Sequence, residues 1–443
     1  MKTPHKVSEV CQTLQRAGFQ SWVVGGAVRD SLMGRPASDW DITTNALPEI
    51  VAKIFAGFKV IPTGIDHGTV TLQYEKESYE ITTFRNEQSY SDGRHPDSVT
   101  FLDSIEGDLA RRDFTMNAVA FDPVQDKWAD PFDGRGDIRR RVIRAVGNPG
   151  QRFEEDGLRS LRACRFAATL GFDLDQETAK ALEPSLRSYK TVSQERVREE
   201  WLKAMKAEKP SRAFQLMLQH GLLAHTVPEL LDSVGCKQNR YHEYDVWGHS
   251  LSVMDALPSE DPILRLTGLF HDVAKPKTKC FDTEKQDYTF HEHDKLGAEM
   301  LGPILNRLRF SLREKQRVEH LTRYHIIHYD GSWQDKTIRR WIRKITPDHL
   351  GSLFALARAD IVGKGNAEVG MGSSLEELRH RVDGLGPVPT KTSHLAINGQ
   401  DVMQVLGLSP GPEVGLKLRA LLELVTNHPE LNTREALLEK VQE

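Results

Sequence analysis

The feature that most restricts how this chain can fold lies within its first fifty residues. Val23-Val24 runs into Gly25-Gly26 and on through Ala27-Val28-Arg29-Asp30, and Ser38-Asp39-Trp40-Asp41-Ile42 follows about a dozen residues later. The first segment reads as a short strand, Trp22-Val23-Val24, that turns at the glycines into a helix. Glycine lets backbone approach a phosphate closely, and a helix N-terminus offers oriented N–H donors. In the second segment, a strand would place the Asp39 and Asp41 side chains, at i and i+2, on one face. Two carboxylates so placed can share hard cations such as Mg²⁺. Cations held there activate a hydroxyl and neutralise a triphosphate. Alone, a Gly-Gly pair is mostly a turn and an Asp-x-Asp a solvated loop. The spacing joins them, because a helix can return the chain to a second strand beside the first, with Arg29 between.

Further runs rich in β-branched residues follow: Asp41 to Thr44, Thr69 to Tyr74 and Tyr79 to Phe84. Ser89 to Ser98 reads as a polar loop. These make an α/β or α+β head ending near residue 145. After Pro149 the periodicity becomes helical. It predicts helices over Leu158–Leu170, Val192–Lys206, Ser211–His220, Pro262–Val273, Ala298–Leu308 and Leu350–Asp360. Gly363 to Gly372 and Gly384 to Pro389 read as connectors. A length of 443 residues suits about three domains. We divide the chain into a head (1–145), a helical neck (146–225), a helical body (226–375) and a small helical tail (376–443).

Composition excludes several classes. With 59 Lys+Arg against 63 Asp+Glu the net charge is −4, so the chain is not a wholly basic nucleic-acid binder, although local fields decide binding. A charged fraction of 28% argues against wholesale disorder. No apolar run approaches the roughly 20 residues a bilayer requires, which excludes a membrane partner. Met1 to Ala17 is polar and is not expected to act as a signal peptide. Cys11, Cys164, Cys236 and Cys280 form neither a C-x-x-C pair nor a disulfide framework, and the expected compartment is a reducing cytoplasm.

The Gly-Gly and Asp-x-Asp arrangement resembles the nucleotidyltransferase superfamily of DNA polymerase β. The likeness sharpens with Thr63-Gly64-Ile65-Asp66-His67-Gly68-Thr69-Val70, with Asp92-Gly93-Arg94-His95-Pro96, with Asp108 to Ala118 around Arg111-Arg112-Asp113, and with Glu155-Asp156-Gly157-Leu158-Arg159. In this order the segments look like the class II tRNA nucleotidyltransferases, the CCA-adding enzymes and the related poly(A) polymerases. The match is dense over residues 20 to 170 and looser beyond. The resemblance implies an α+β fold: a polymerase-β-like head with a mixed sheet, then a mostly helical neck, body and tail. It implies that Asp39 and Asp41 bind Mg²⁺, that a third acidic residue stands on a neighbouring strand, with Glu80 a candidate that spacing alone does not select, and that Gly26, Arg29 and Arg112 contact the nucleotide. In the neck, Asp156 and Arg159 would read the Watson–Crick edge of CTP or ATP, with Arg162 and Arg165 near the nucleotide.

The residue chemistry agrees. Asp accepts from an exocyclic amine, which cytosine and adenine carry and uracil lacks, and Arg donates to ring nitrogen or carbonyl. A site that leaves a buried group unpaired rejects the wrong base. The i, i+3 spacing would put Asp156 and Arg159 on one helix face. The tRNA 3′ end is the expected partner and CTP and ATP the expected substrates. Arg135, Arg139, Arg140, Arg141, Arg144 and Arg152, and a second run Arg307, Arg309, Arg313, Lys315 and Arg317, would serve the RNA backbone, with further tRNA contact from the tail. The loop from Arg85 to Phe101, with Tyr90, looks complete. That favours a full CCA-adding or an A-adding enzyme over a CC-adding one; those two, and poly(A) addition, stay open.

Histidines cluster after residue 240. His271-Asp272 ends the apolar run Ile263 to Phe270. With His249 upstream and Asp360 downstream it resembles the HD-domain metal phosphohydrolases. That likeness makes His249, His271, Asp272 and Asp360 metal ligands, and His293 and His325 match positions for a second metal. Imidazole and carboxylate suit a transition metal, Mn²⁺ or Mg²⁺. The implied activity is hydrolysis of 2′,3′-cyclic or 2′-phosphates, either beside nucleotide addition or as the main reaction. Oligomeric state is left open.

Overall fold

The computed structural model describes residues 1–88, 98–365 and 372–443. The chain forms two compact units, Met1–Pro228 and Glu229–Glu443.

The first unit begins with α1 (His5–Arg16), β1 (Ser21–Val24), α2 (Gly26–Leu32), β2 (Asp41–Thr44), α3 (Pro48–Ile54), β3 (Lys59–Gly64), β4 (Thr69–Tyr74) and β5 (Glu77–Thr83). A hairpin pair, β6 (Arg85–Gln88) and β7 (Ser98–Phe101), precedes α4 (Ile105–Ala110), β8 (Ala120–Asp122) and β9 (Lys127–Ala129). One mixed sheet runs β3-β4-β5-β2-β1-β8-β9, and its parallel pair is β2 with β5. The expected α+β head is thus observed. Along β5, Tyr79, Ile81 and Thr83 face inward while Ser78 and Glu80 are exposed, the period-two pattern of a half-buried strand. Val7, Val10, Cys11 and Leu14 recur at helical spacing along α1 and pack into the same core as Ile42, Leu72 and Ile81. β2 begins at Asp41, so Asp39 precedes the strand instead of lying on it.

The neck follows as α5 (Gly134–Arg140), β10 (Val142–Ile143), α6 (Pro149–Glu155), α7 (Leu158–Leu170), β11 (Asp173–Leu174), α8 (Gln176–Lys180), α9 (Leu186–Tyr189), α10 (Gln194–Ala204), α11 (Ser211–Gln219) and α12 (Leu222–Thr226). The helix expected over Leu158–Leu170 has those bounds. The expectation that Asp156 and Arg159 share one helix face is not met. Asp156 is extended (φ −144°, ψ 106°) and sits at the break between α6 and α7. Gly157 allows this break, since a Cβ there would collide with the Ser188 backbone.

Neck and head meet through aromatic edges and buried charge. Phe114 packs edge-on against Phe153 and Phe166, with ring centroids 6.4 and 5.7 Å apart. Arg162 Nε donates to Asp113 Oδ2 at 2.8 Å, and Asn117 donates to Oδ1 at 3.1 Å.

The second unit holds α13 (Val246–Ala256), α14 (Pro262–Phe270), α15 (Lys275–Thr278), the hairpin β12 (Lys279–Asp282) and β13 (Asp287–Phe290), α16 (His293–Arg307), α17 (Leu312–Tyr324), α18 (Asp335–Ile345), α19 (Pro347–Gly363), α20 (Ser373–Gly384), α21 (Gly399–Leu406), α22 (Pro412–Asn427) and α23 (Arg434–Gln442). Sequence periodicity placed some ends wrongly. α14 stops at Phe270, so His271-Asp272 leave the helix, and α16 starts five residues before the expected Ala298. The last three helices pack on a small core of their own, including Ile397, Val402, Leu421 and Leu437. Among the described residues no helix is long and apolar enough to cross a membrane.

Asp113 gives an acid-stability prediction. Burial raises its pKa, but the Arg162 guanidinium, the Asn117 hydrogen bond and Arg159 outweigh burial and hold it at about 2, below the ordinary 3.8. A depressed carboxylate stabilises the fold above its unfolded pKa and loses that contribution as pH falls through the folded one. Asp113→Asn should therefore remove about 2 kcal/mol of this pH-linked stability at pH 5–7. The difference from wild type should shrink toward pH 2, as read by denaturant titration of the first unit; a pH-independent difference would count against the ion pair.

Candidate active site and metal centre

The carboxylates of the head gather at the exposed end of the sheet. Parallel pairing of Ile42 with Ile81 sets Asp41 beside Glu80 on neighbouring strands. Asp39, Asp41 and Glu80 line one cleft of about 580 Å³, with Trp40, Thr71 and Ser78. Asp39 and Glu80 are exposed and Asp41 is half-buried. Burial pushes Asp41 up to about 6, the Arg112 guanidinium pulls the other way, and the Glu80 and Asp39 charges add to the rise. Three acids that repel one another across an oxygen-lined cleft form a site for hard divalent cations.

Gly25 stands against Asp41 and Arg112. Its φ of 76° and ψ of −141° suit glycine, and a Cβ would stand 3.3 Å from Asp41 Oδ2 and 3.4 Å from Arg112 Nη1. Arg112 is steered there by fully buried Asp108, whose oxygens also take Arg111 Nε at 3.0 Å. Arg29, on α2 next to Gly26, donates through Nε to Asp30 and through Nη1 to Asn117 Oδ1, both at 2.9 Å. Arg29, Arg162 and Arg165 surround the Phe166 ring at 5.2, 5.3 and 3.8 Å from its centroid. Buried Glu200 on α10 accepts from Arg165 at 2.5 Å.

The two residues expected to read a base are held by protein partners. Asp156 Oδ1 accepts from Leu158 N and Arg196 Nη1, and Oδ2 accepts from Arg196 Nη2 at 2.8 Å. Arg159 Nη1 donates to Arg152 O and Glu155 Oε2, and Nη2 to Arg111 O. Sequence reasoning gave no role to Asp108, Asn117, Phe166, Arg196 or Glu200. For Arg196 and Glu200 the signal was opposite charge at long separation, which spacing does not resolve; Asp108 stands three and four residues from the arginines it pairs, and Asn117 and Phe166 carry no charge to read.

Much of each basic run pairs internally. Arg140 and Arg144 pair with Asp137, Arg307 with Glu229 and Arg317 with Asp261. The loop with Tyr90 and Asp92-Gly93-Arg94-His95-Pro96 lies outside the described residues.

In the second unit five elements converge on one buried carboxylate. His249 comes from α13, His271 and Asp272 from the turn after α14, His293 from the start of α16, His325 from the end of α17 and Asp360 from α19. The metal-capable atoms of His249, His271, Asp272 and Asp360 lie within 4.8 Å of one another, as do those of Asp272, His293 and His325. Asp272 Oδ2 is 3.2 Å from His271 Nε2, and Oδ1 is 3.2 Å from His293 Nε2. The Nδ1 atoms of His271, His293 and His325 bond the Gly268, Phe290 and Thr322 carbonyls at 2.7, 2.6 and 2.8 Å.

A carbonyl bond at Nδ1 keeps a proton there and aims Nε2 into the cluster, where it offers a lone pair whenever the ring is neutral. Such lone pairs meet at 3.3 Å between His293 and His325, beside Asp272, whose Oδ2 also lies 2.6 Å from the Lys275 ammonium. Imidazole nitrogens and carboxylate oxygens that converge within 4.8 Å suit a divalent cation, so the residues fit bound metal. For His271, burial opposes the charged form, but Asp272 and Asp360 outweigh it and push the imidazole up to about 10.

Fold, cleft and histidine cluster define the class: a poly(A) polymerase-type head on a chain that carries an HD domain. Residues 21–144 match the poly A polymerase head domain family. Residues 171–233 match the family described as the probable RNA and SrmB-binding site of polymerase A, and residues 241–361 match the HD domain family. The chain is 48% identical over 224 residues to a CCA-adding enzyme of Lactobacillus helveticus, covering 51% of this chain and 55% of that one. It is 49% identical over 214 residues to a CCA-adding enzyme of Listeria monocytogenes, covering 48% and 54%. The chain thus spans about half the length of the curated relatives it matches. The solved Bacillus stearothermophilus CCA-adding enzyme in complex with CTP superposes with a TM-score of 0.74 at 31% identity, over 100% of this chain and 98% of that one. The chain belongs to the family of CCA-adding enzymes and poly(A) polymerases, the class II tRNA nucleotidyltransferases.

Two outcomes follow from these geometries. Metal at the histidine cluster must displace the His271 proton, so affinity for Mn²⁺ should rise with pH from 6.5 to 8.5, up to about tenfold per unit. His271→Ala should abolish binding in the same calorimetric titration, and a flat pH profile would contradict the charged imidazole. Gly25→Ala, which strains the backbone and crowds Asp41 and Arg112, should lower nucleotide affinity at least about tenfold with the fold intact by circular dichroism.

Proposed function

We propose that this chain adds CMP and AMP to the 3′ end of tRNA from CTP and ATP, releasing pyrophosphate, as a CCA-adding enzyme. The residues left available for a base carry this reading. Among the described residues, Asp156 keeps one acceptor position, on Oδ2, because Oδ1 already accepts twice. Arg159 keeps Nε–H and one Nη2–H, three of its five donors being engaged. One acceptor and two donors complement the amine, N3 and O2 of cytosine. Adenine, with its amine and N1, uses one of each. Uracil presents a carbonyl where the amine is required and leaves Asp156 facing an oxygen.

In this reading Asp39 and Asp41, with Glu80 as the third acid, hold Mg²⁺, which supplies charge neutralisation at the triphosphate and lowers the pKa of the attacking hydroxyl. Arg112 and Arg29 orient the triphosphate, and Arg162 and Arg165 line the nucleotide's side of α7. The tRNA 3′ oxygen bonds to the α-phosphorus as the bond to the pyrophosphate oxygen breaks, and the hydroxyl proton passes to solvent. The parts divide as head 1–145, neck 146–225, body 226–375 and tail 376–443, the tail touching tRNA, in a cytoplasmic protein. The buried histidine cluster favours a second activity. There His249, His271, Asp272 and Asp360 would hold a transition metal, Mn²⁺ or Mg²⁺, which would supply Lewis acidity for hydrolysis of 2′,3′-cyclic or 2′-phosphates.

The test is incubation of tRNA lacking CCA with labelled CTP, ATP or both. The expected products are two added residues with CTP alone and three with both. Addition of A only to tRNA already ending in CC would indicate an A-adding enzyme, and long A tails a poly(A) polymerase. Asp39→Ala and Asp41→Ala should each reduce addition at least about 1,000-fold with tRNA binding retained, and Arg159→Ala should cut preference for CTP over UTP by about 100-fold. Activity that survives Asp41→Ala but not His271→Ala would make phosphohydrolysis the main reaction.

A further inference from the structure

Asp156 is one of two side chains that select the base in the proposed reaction, yet an aspartate by itself is a poor selector. Its terminal torsion is broad and two-fold, so a carboxylate can turn away from a mismatched carbonyl. Something must hold its plane. In this structure that is α10, which lies alongside α7 and presents Arg196 and Glu200, one turn apart and of opposite sign. Arg196 grips both Asp156 oxygens end-on, Nη1 donating to Oδ1 at 3.2 Å and Nη2 to Oδ2 at 2.8 Å. Both side chains are largely shielded, with 16% and 12% of their surface exposed. One turn further along, Glu200 holds Arg165 and stands 3.8 Å from Arg162, and these arginines lie on the same helix as Arg159.

We propose that Arg196 is the positioning residue for base selection. The inference rests on the nucleotide-addition reading above. The planar fork of arginine matches a carboxylate in two parallel hydrogen bonds and so fixes its plane as well as its place. With the fork on one side and the Leu158 N–H on Oδ1, the remaining Oδ2 lone pair points one way. An amine of cytosine or adenine satisfies it. A carbonyl of uracil or guanine meets a carboxylate that cannot rotate, and the repulsion is not relieved. Arg196 touches no substrate in this account; it makes Asp156 a rigid acceptor. A lysine would keep the charge but, as a point donor, would leave the carboxylate free to turn.

The experiment compares wild type, Arg196→Lys and Arg196→Gln on tRNA lacking CCA, with CTP and UTP measured separately and in competition. Melting temperature and the KM for tRNA are followed in parallel. The expected result is a fall of at least tenfold in the CTP-to-UTP ratio of kcat/KM for Arg196→Lys, with melting temperature and tRNA KM near wild type. The Lys substitution should add little when Asp156 is already Asn, because the two act as one unit. A Lys variant with wild-type discrimination overturns the inference. So does equal loss of CTP and UTP addition, which is what a purely structural role produces. If Arg196→Gln unfolds, the Lys variant still decides. Wild-type protein that adds neither CMP nor AMP overturns the proposed function itself, a failure distinct from a wild type that discriminates while Arg196→Lys does so equally well.

Discussion

In the first unit ionised groups stand out of water in opposed pairs: Asp113 with Arg162 where head meets neck, and Glu200 with Arg165 between two neck helices. Removing a charge from water costs several kcal/mol, which pairing offsets only when geometry is good and the remaining lone pairs are satisfied. Here they are. Asp113 takes Arg162 on one oxygen and Asn117 on the other, and Asn117 in turn accepts from Arg29. The chain of contacts runs from α2, beside the glycine turn, to α7, where the proposed base-reading residues begin. Apolar packing would hold head to neck as firmly, but it would not fix the rotation of α7 about its axis. Directional bonds do, and Phe166 with three guanidiniums around it tightens the same register.

That network explains which parts of the site were legible in the sequence. The strand Thr69–Tyr74 and the helix Leu158–Leu170 were read with their observed bounds, because local periodicity and turn residues determine both. The metal-capable acids and histidines were recognisable by type and order. Residue partners were not. Asp156 and Arg159 looked like neighbours on one helix, and the structure separates them by a break that exists because Gly157 fits against the Ser188 backbone. Arg196 lies 40 residues from the aspartate it holds. No periodicity links such positions, since the link is tertiary. Similarly, the apolar run before His271 read as helix through Val273, whereas the chain leaves the helix at His271 to aim that imidazole at Asp272.

The two candidate metal sites differ in a way that suits different roles. In the head the donors are carboxylate oxygens, two of the three exposed, and the cleft is open. Such a site is shaped for a hard cation that arrives and leaves with a phosphate ligand. In the second unit the donors are mixed nitrogen and oxygen, nearly all buried, with three imidazoles locked by backbone carbonyls before any metal enters. Imidazoles oriented in advance around a buried carboxylate are a donor set for a metal held by the protein itself.

The net charge of −4 hides this arrangement. Acids concentrate at the two candidate metal sites: Asp39, Asp41 and Glu80 in the cleft, Asp272 and Asp360 among the histidines. Three arginines, Arg159, Arg162 and Arg165, stand along α7, where the proposed reading places the base and the nucleotide. Several of those arginines are already paired, so their charge is largely neutralised within the protein before any nucleic acid approaches. What remains for a ligand is direction: the few donors and the one acceptor that internal partners leave open. Counting charges over the whole chain measures the paired majority, and the selective chemistry resides in the unpaired remainder.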